Sequence, residues 1–323
     1  MAHRKQSYDA FLNHQASRLR GDAGGVLFER LTRATMSELV EYVYDETPWA
    51  SEELITTVTD VSPGKTSIDW FAARDIAAPG DGFVGDDGPI PFADFELEPN
   101  NVRVHTVLNG YRYTLQEAES WAEQGFSISL PQRKAQASAH KWHIDVDTAW
   151  RDGIAGKFEG VLNYPGSQQL IAGTTPGTTA AWETTATPDQ IVNSMATMRK
   201  AFDTAGPGLR PDTVVLPSAV EARLTTDLRS TSSDTTIFGF LQANMRGITK
   251  WRFDRAMNTA GIGGTPCVLM YDRRPTTLWA WMPRRMEPLQ EYVKHTEFQQ
   301  GFRTRVTGPV CEHPRSIVRL SGV

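Results

Sequence analysis

The stretch Ser129-Leu-Pro-Gln-Arg-Lys-Ala-Gln-Ala-Ser-Ala-His-Lys-Trp-His-Ile-Asp-Val-Asp-Thr-Ala-Trp-Arg-Asp-Gly153 decides the fold. Its apolar positions Ala135, Ala139, Trp142, Val146, Ala149 and Trp150 recur at helical spacing, which gathers them on one side of an α-helix. Ser129 and Gln132 form a capping-box pair, Pro131 sits in the first turn where it is tolerated, and Gly153 suits the residue just past the end. The spacing predicts a helix of roughly 22 residues, about 33 Å long at 1.5 Å per residue. Its apolar stripe is narrow and the rest is polar, so the helix lies across a surface and not through a core.

Working outward toward the N-terminus, Thr114 and Glu117 cap a short helix that ends at Gln124, with Gly125 as its stop. Before it, Val102 to Leu108 and on through Tyr111 and Tyr113 has strand character. Leu54, Ile55, Val58 and Val61, then Pro63-Gly64, then Thr66 to Phe71 predict strand, turn and strand. From Pro79 to Pro91 Gly, Pro and Asp dominate, which suits neither a ladder nor a helix and predicts a long exposed loop. Such loops usually carry function. Met36 to Tyr44 can form a short helix, and residues 1–25 read as a polar arm.

Toward the C-terminus, Thr187-Pro188 opens a helix with Ile191, Met195, Met198 and Phe202 on one side, ending by Gly206. Short elements follow: a buried strand at Thr213–Leu216, helices at Pro217–Leu228 and Ile237–Met245, and a strand at Ile248–Phe253. Strands at Cys267–Tyr271 and Thr277–Met282, with Trp279 and Trp281 on one face, precede an alternating β region from Leu289 to Leu320. Strands mixed with helices without regular alternation make the fold class α+β.

The chain has 323 residues, a net charge of −5, 40 % hydrophobic and 22 % charged residues, the make-up of an ordinary folded protein. No apolar run is long enough to predict a membrane-spanning helix, and no apolar stretch follows the basic residues at the start, so no secretory signal is expected. Two cysteines, Cys267 and Cys311, cannot build a disulfide framework, which fits a reducing compartment. The mild acidity argues against a dedicated nucleic-acid binder.

The motifs that suggest chemistry are weak. Gly64-Lys65-Thr66 resembles the end of a phosphate loop, but Thr59 stands where a Gly is required, and strand follows instead of a helix. His140, His143 and Asp147 share one sector of the long helix, so a metal-dependent enzyme is an alternative reading, although a solvated polar face explains them as well. The aspartates of the Pro79–Pro91 loop miss calcium-loop spacing, neither cysteine has a nearby His that suggests a nucleophile, and Arg20-Gly21-Asp22 is only a tripeptide. No catalytic, cofactor-binding or metal-binding residue is nominated, no cofactor is expected, and the chain reads as no enzyme.

Gly110-Tyr111-Arg112-Tyr113-Thr114, then the long helix, then Phe158-Glu-Gly-Val-Leu-Asn163, Pro211-Asp-Thr-Val-Val-Leu-Pro217 and Pro314-Arg-Ser-Ile317, make an ordered set over roughly residues 100–323. In this order the chain resembles the major capsid proteins of tailed bacteriophages, whose fold is shared with encapsulin shells. The resemblance implies an N-terminal arm at 1–51, an extended β-hairpin loop at 52–110, and a peripheral domain at 111–157 with its spine helix at 129–153. An axial domain at 158–265 would follow, and strands at 266–323 would complete both domains. It further implies self-assembly as pentamers and hexamers into an icosahedral shell enclosing double-stranded DNA, in a virion assembled in the host bacterial cytoplasm. Portal, scaffolding and decoration proteins would be its partners. No cleavable scaffolding segment is recognised before the arm, which implies a separate scaffolding protein or none. Lys65 is the sole Lys between Lys5 and Lys134, but no crosslinking acceptor is recognisable. An encapsulin-type compartment holding cargo enzymes is the nearest alternative.

Overall fold

The structure is a computed structural model that describes residues 46–76 and 94–323, other than 125, 127, 205, 207 and 231–233, and leaves aside the side chains of 74–76 and 94. The expected arm at 1–25, the Met36–Tyr44 helix, Arg20-Gly21-Asp22 and the Pro79–Pro91 loop lie outside the described residues. In chain order the elements are β1 (Thr56–Val58), β2 (Ser67–Ile76), β3 (Asp94–Thr114), α1 (Leu115–Glu123), α2 (Leu130–Asp152), β4 (Gly153–Ile154), β5 (Phe158–Glu159) and β6 (Gln168–Ile171). They continue with α3 (Pro188–Asp203), β7 (Thr213–Pro217), α4 (Glu221–Thr226), α5 (Ile237–Asn244), β8 (Lys250–Asp254), β9 (Cys267–Tyr271) and β10 (Leu278–Trp281). The last are β11 (Arg284–Pro288), β12 (Tyr292–Lys294), β13 (Glu297–Thr307), β14 (Val310–Cys311) and β15 (Ile317–Ser321). The class is α+β.

A mixed five-stranded sheet, in the order β6-β15-β9-β7-β8, divides the interior. Its strands alternate strictly. Val215, Cys267, Leu269, Tyr271 and Ile317 enter one core with Trp142, Val146 and Trp150 of α2. Val214, Leu216, Val268, Met270, Val318 and Leu320 enter a second core with Ile191, Met195, Met198 and Phe202 of α3, Leu224 of α4 and Leu241 of α5. Apolar cover on both faces explains why these strands read as unbroken hydrophobic runs. α2 forms where its capping signals place it: the Ser129 amide donates to Gln132 Oε1 at 3.4 Å, and Gly153 closes the helix at φ +86°. A Cβ on Gly153 would lie 2.5 Å from the Gly160 nitrogen, so glycine is obligatory there.

The second large sheet is antiparallel, in the order β11-β13-β3-β2, with β12 also on β13. β3 has 21 residues, about 70 Å at 3.3 Å per residue. Its Val104–Thr114 half pairs with β13, whereas its Asp94–Arg103 half pairs with β2 alone, as a two-stranded ribbon. The root of that ribbon rests on a small third core in which Ile68, Trp70, Val102 and Val104 meet Trp279, Trp281 and Val310.

Two expectations are corrected. The strand expected over Leu54–Val61 shrinks to Thr56–Val58, and it pairs in parallel with β10 instead of forming a hairpin with β2. Ahead of it, Trp49, Leu54 and Ile55 are fully buried in the first core, so the segment on both sides of residue 51 is a strap through the interior. The strands also run farther than read from sequence: β2 reaches Ile76, and β3 begins at Asp94 and not near Val102. In Phe95-Glu-Leu-Glu the glutamates lower β propensity, and the alternation that marks a strand faces no core of the same chain.

Candidate assembly surface

The polar sector of α2 does not gather its three singled-out residues. The strap crosses the helix there. Asp147 is buried beneath it, and its Oδ1 accepts the backbone N–H groups of Trp49 at 2.8 Å and Ala50 at 3.4 Å, while Oδ2 pairs with Arg151 at 3.4 Å. Burial pushes this carboxyl up to about 6, against the opposing pull of the Trp49 amide and Arg151. His140 lines a hollow of about 740 Å³ with Glu46, Arg151, Arg252 and Asp254. His143 opens instead into a hollow of about 420 Å³ with Ser51, Met282 and Arg285, and its ring meets that of Trp142 edge-on at 4.6 Å. Burial, then the neighbouring His140, lowers the His143 pKa. Among the described residues no three His, Cys, Asp or Glu side chains converge to hold a metal ion, so nothing in this geometry supports the metal-enzyme reading.

The strap is bound along its length. Trp49 stacks on Tyr271 at 6.1 Å, the Tyr271 hydroxyl donates to the Leu54 carbonyl, and Lys250 and Arg273 donate to the Glu53 carbonyl at 2.8 and 2.7 Å. Arg252 pairs with Glu46, and Arg285 with Glu52 at 2.8 Å. Both cysteines are buried, which pushes the Cys267 thiol up to about 12 and the Cys311 thiol up to about 11, so neither favours a thiolate nucleophile. Gly64-Lys65-Thr66 is the exposed turn into β2, where the Lys65 amide donates to Ser62 O at 3.2 Å and Thr66 O accepts from the Val104 amide. Trp279 and Trp281 are core, packed with Trp70 at 6.2 and 5.4 Å.

The distinctive surface is on the β2–β3 ribbon. Phe71 stands opposite Pro99, Ala73 opposite Leu97 and Asp75 opposite Phe95. Directly paired residues share a face, so Phe71, Ala73, Phe95, Leu97 and Pro99 form one apolar strip. It is exposed: Phe71 is 66 %, Phe95 60 % and Leu97 51 % accessible. The opposite face packs on the body at its root, through Ile68, Trp70 and Val102, and carries Glu96 and Glu98 beyond it. A contiguous exposed apolar strip on a two-stranded ribbon marks an interaction surface. The sequence reading missed it, although the period-two pattern Phe95-Glu-Leu-Glu-Pro99 was the available signal.

A family model described as "Major capsid protein" matches residues 81–323. No curated protein matches the sequence. Among solved structures the chain is similar to the capsid of Myoviridae Phage XM1, with 16 % identity, 94 % of this chain and 100 % of that one covered, and a TM-score of 0.76. It is also similar to the capsid of the native GTA particle (12 % identity, 94 % and 98 % covered, TM-score 0.62) and to a structure titled Mycobacterium phage Adephagia (10 % identity, 93 % and 98 % covered, TM-score 0.60). At such identities the likeness carries the fold, and the α+β architecture above is the one these structures share.

Proposed function

The chain belongs to the major capsid protein family, and from that premise we propose that its copies gather as pentamers and hexamers and close into an icosahedral shell around double-stranded DNA. As a capsid protein it is a structural component and not an enzyme. In this reading residues 1–51 are the arm, 52–110 the extended loop, 111–157 the peripheral domain with its spine helix at 129–153, and 158–265 the axial domain, with 266–323 completing both. The virion is its final location and the bacterial cytoplasm its place of assembly. Portal, scaffolding and decoration proteins are its expected partners.

The observation that carries the proposal is the exposure of Phe71 and Leu97 on the ribbon's apolar strip. A two-stranded ribbon is marginal in water on its own, and a neighbouring subunit would supply the cover that the strip's own chain leaves off. The net charge of −5 suits a container that holds DNA without gripping it over its whole surface. The test replaces Phe71→Lys and Leu97→Lys and images particles by electron microscopy. The substituted protein is expected to fold and remain as small oligomers, whereas wild-type-like closed shells would remove the role assigned to the strip.

A further inference from the structure

The three arginines Arg199, Arg210 and Arg246 come from separate stretches of the chain and line one hollow of about 600 Å³, together with Asp203, Gly208 and Gly247. Arg199 is half-buried in α3, while Arg210 and Arg246 stand exposed at the rim. Other guanidiniums in this fold are held by carboxylates: Arg151 by Asp147 and Asp152, Arg223 by Asp227, Arg252 by Glu46, Arg274 by Asp272. Among the described residues no hydrogen bond or ion pair is made by the side chains of Arg199, Arg210 or Arg246. Three guanidiniums against the one carboxylate of Asp203 leave the lining with two positive charges, in a chain whose net charge is negative.

The backbone under this cluster is held in place. Arg274 is fixed on the fully buried Asp272, its Nε lying 2.9 Å from both carboxylate oxygens, and its Nη2 donates to the Gly208 carbonyl at 3.1 Å. The Asp212 carbonyl accepts from the amides of Thr249 at 2.8 Å and Lys250 at 3.0 Å, which ties the turn carrying Arg246 to the turn carrying Arg210. Gly247 sits at φ +96°, and a Cβ there would lie 3.7 Å from the Pro211 carbonyl oxygen, so the two turns touch. Both arginines therefore project from anchored positions over a shared concavity.

We infer that this hollow is a phosphate-binding site, taking a group with two or more anionic oxygens between Arg199, Arg210 and Arg246. Guanidiniums match phosphate geometry with paired N–H donors and stay charged at all working pH values. Convergent unpaired cations repel one another, and a multivalent anion is the partner that relieves this. The phosphate can belong to a nucleic-acid backbone or to a free polyphosphate. The inference is read on the single chain and stands whether or not copies close into a shell.

The test uses the full-length protein at low salt, with pyrophosphate and a 20-base-pair duplex as separate probes, and calorimetry as readout. The variant is Arg210→Ala with Arg246→Ala, whose exposed side chains make no bonds that the fold depends on; unfolding without ligand checks that it stays folded. Pyrophosphate affinity is expected to fall about tenfold or more in the variant. For the duplex, the slope of log affinity against log salt is expected to drop by about one for each arginine removed. Pyrophosphate binding lost in the variant without any duplex binding assigns the site to a free polyanion. A salt slope that falls with the arginines assigns it to a nucleic-acid backbone. Absence of binding to both probes in the wild type, or equal binding in the variant, overturns the inference.

Discussion

Cys267–Tyr271 and Phe95–Pro99 are two stretches of β-strand with opposite fates. Every residue of the first is buried and every residue of the second is exposed. β9 has β15 along its whole length on one side, β7 along Leu269–Tyr271 on the other, and a core on each face, so the chain itself covers all its side chains. The ribbon segment has one strand partner and an apolar strip that its own chain leaves exposed. Strand sequence thus serves two ends here: in β9 it builds the subunit, and in the ribbon it presents a surface. The sharpest way to break that contrast is to cut into β9. Leu269→Ala, at a fully buried position in the first core, is expected to cost about 2–5 kcal/mol in denaturant unfolding. A loss under about 1 kcal/mol would show that the central sheet yields like a surface.

Trp70 stands between the two regimes. It is half-buried at the ribbon root, packs against Trp279 and Trp281, and its Nε1 donates to Glu312 at 3.4 Å. Trp70→Ala is expected to cost about 1–3 kcal/mol, less than a fully buried aromatic. Hydrogen exchange sharpens the result: amides of β2 should lose protection while those of β9 keep theirs, because the root is what ties the ribbon to the body. Equal loss in both strands would make ribbon and body a single unit.

The same contrast governs what could be read from sequence. α2 was legible nearly to the residue, since Ser129, Gln132 and Gly153 are local signals acting within a turn of where they sit. β7 and β9 were legible because a strand covered on both faces is apolar throughout. The strap was not. Its burial depends on Asp147, 98 residues away from Trp49, and on Tyr271, and nothing periodic in Trp49–Ile55 announces those partners. The ribbon's apolar strip carries a clear alternation, but Phe71 and Leu97 stay exposed on the single chain, so no core of the same chain marks the strip. Arg199, Arg210 and Arg246 sit on separate elements, and only the fold brings them together.

Asp147 supplies the third prediction, since its buried carboxyl accepts the Trp49 and Ala50 amides of the strap. Its carboxyl titrates near 6 in the folded chain because of burial, above the ordinary 3.8. The folded state therefore holds this proton between about pH 4 and 6 where the unfolded chain releases it. Stability contributed by this group rises as pH falls through about 6 and levels off below about 4. Asp147→Asn keeps an oxygen for the Trp49 and Ala50 amides but removes the titration. The wild type should gain on the variant from pH 7 toward pH 4, by at most about 1.4 kcal/mol per pH unit for one proton. Denaturant unfolding across that range checks it. A wild type that loses ground instead would mean that pairing with Arg151 outweighs burial.

The smallest effect is expected where the apolar side chain is large but already wet. Leu97 is 51 % accessible on the ribbon strip. Leu97→Ala therefore removes a methyl-rich surface that the folded and unfolded chains both expose, and single-chain stability should change by no more than about 0.5 kcal/mol. The same substitution in Leu269 would remove about the same number of carbon atoms, so the difference between the two measures cover and not chemistry. Run at low concentration, where copies stay apart, the experiment isolates what the chain does for itself. Repeating it on assembled particles adds back whatever a neighbour contributes, and the particle should then lose stability where the separate chain does not. A large loss in the separate chain would place Leu97 in a core of its own subunit, and the distinction between the two kinds of strand would fail.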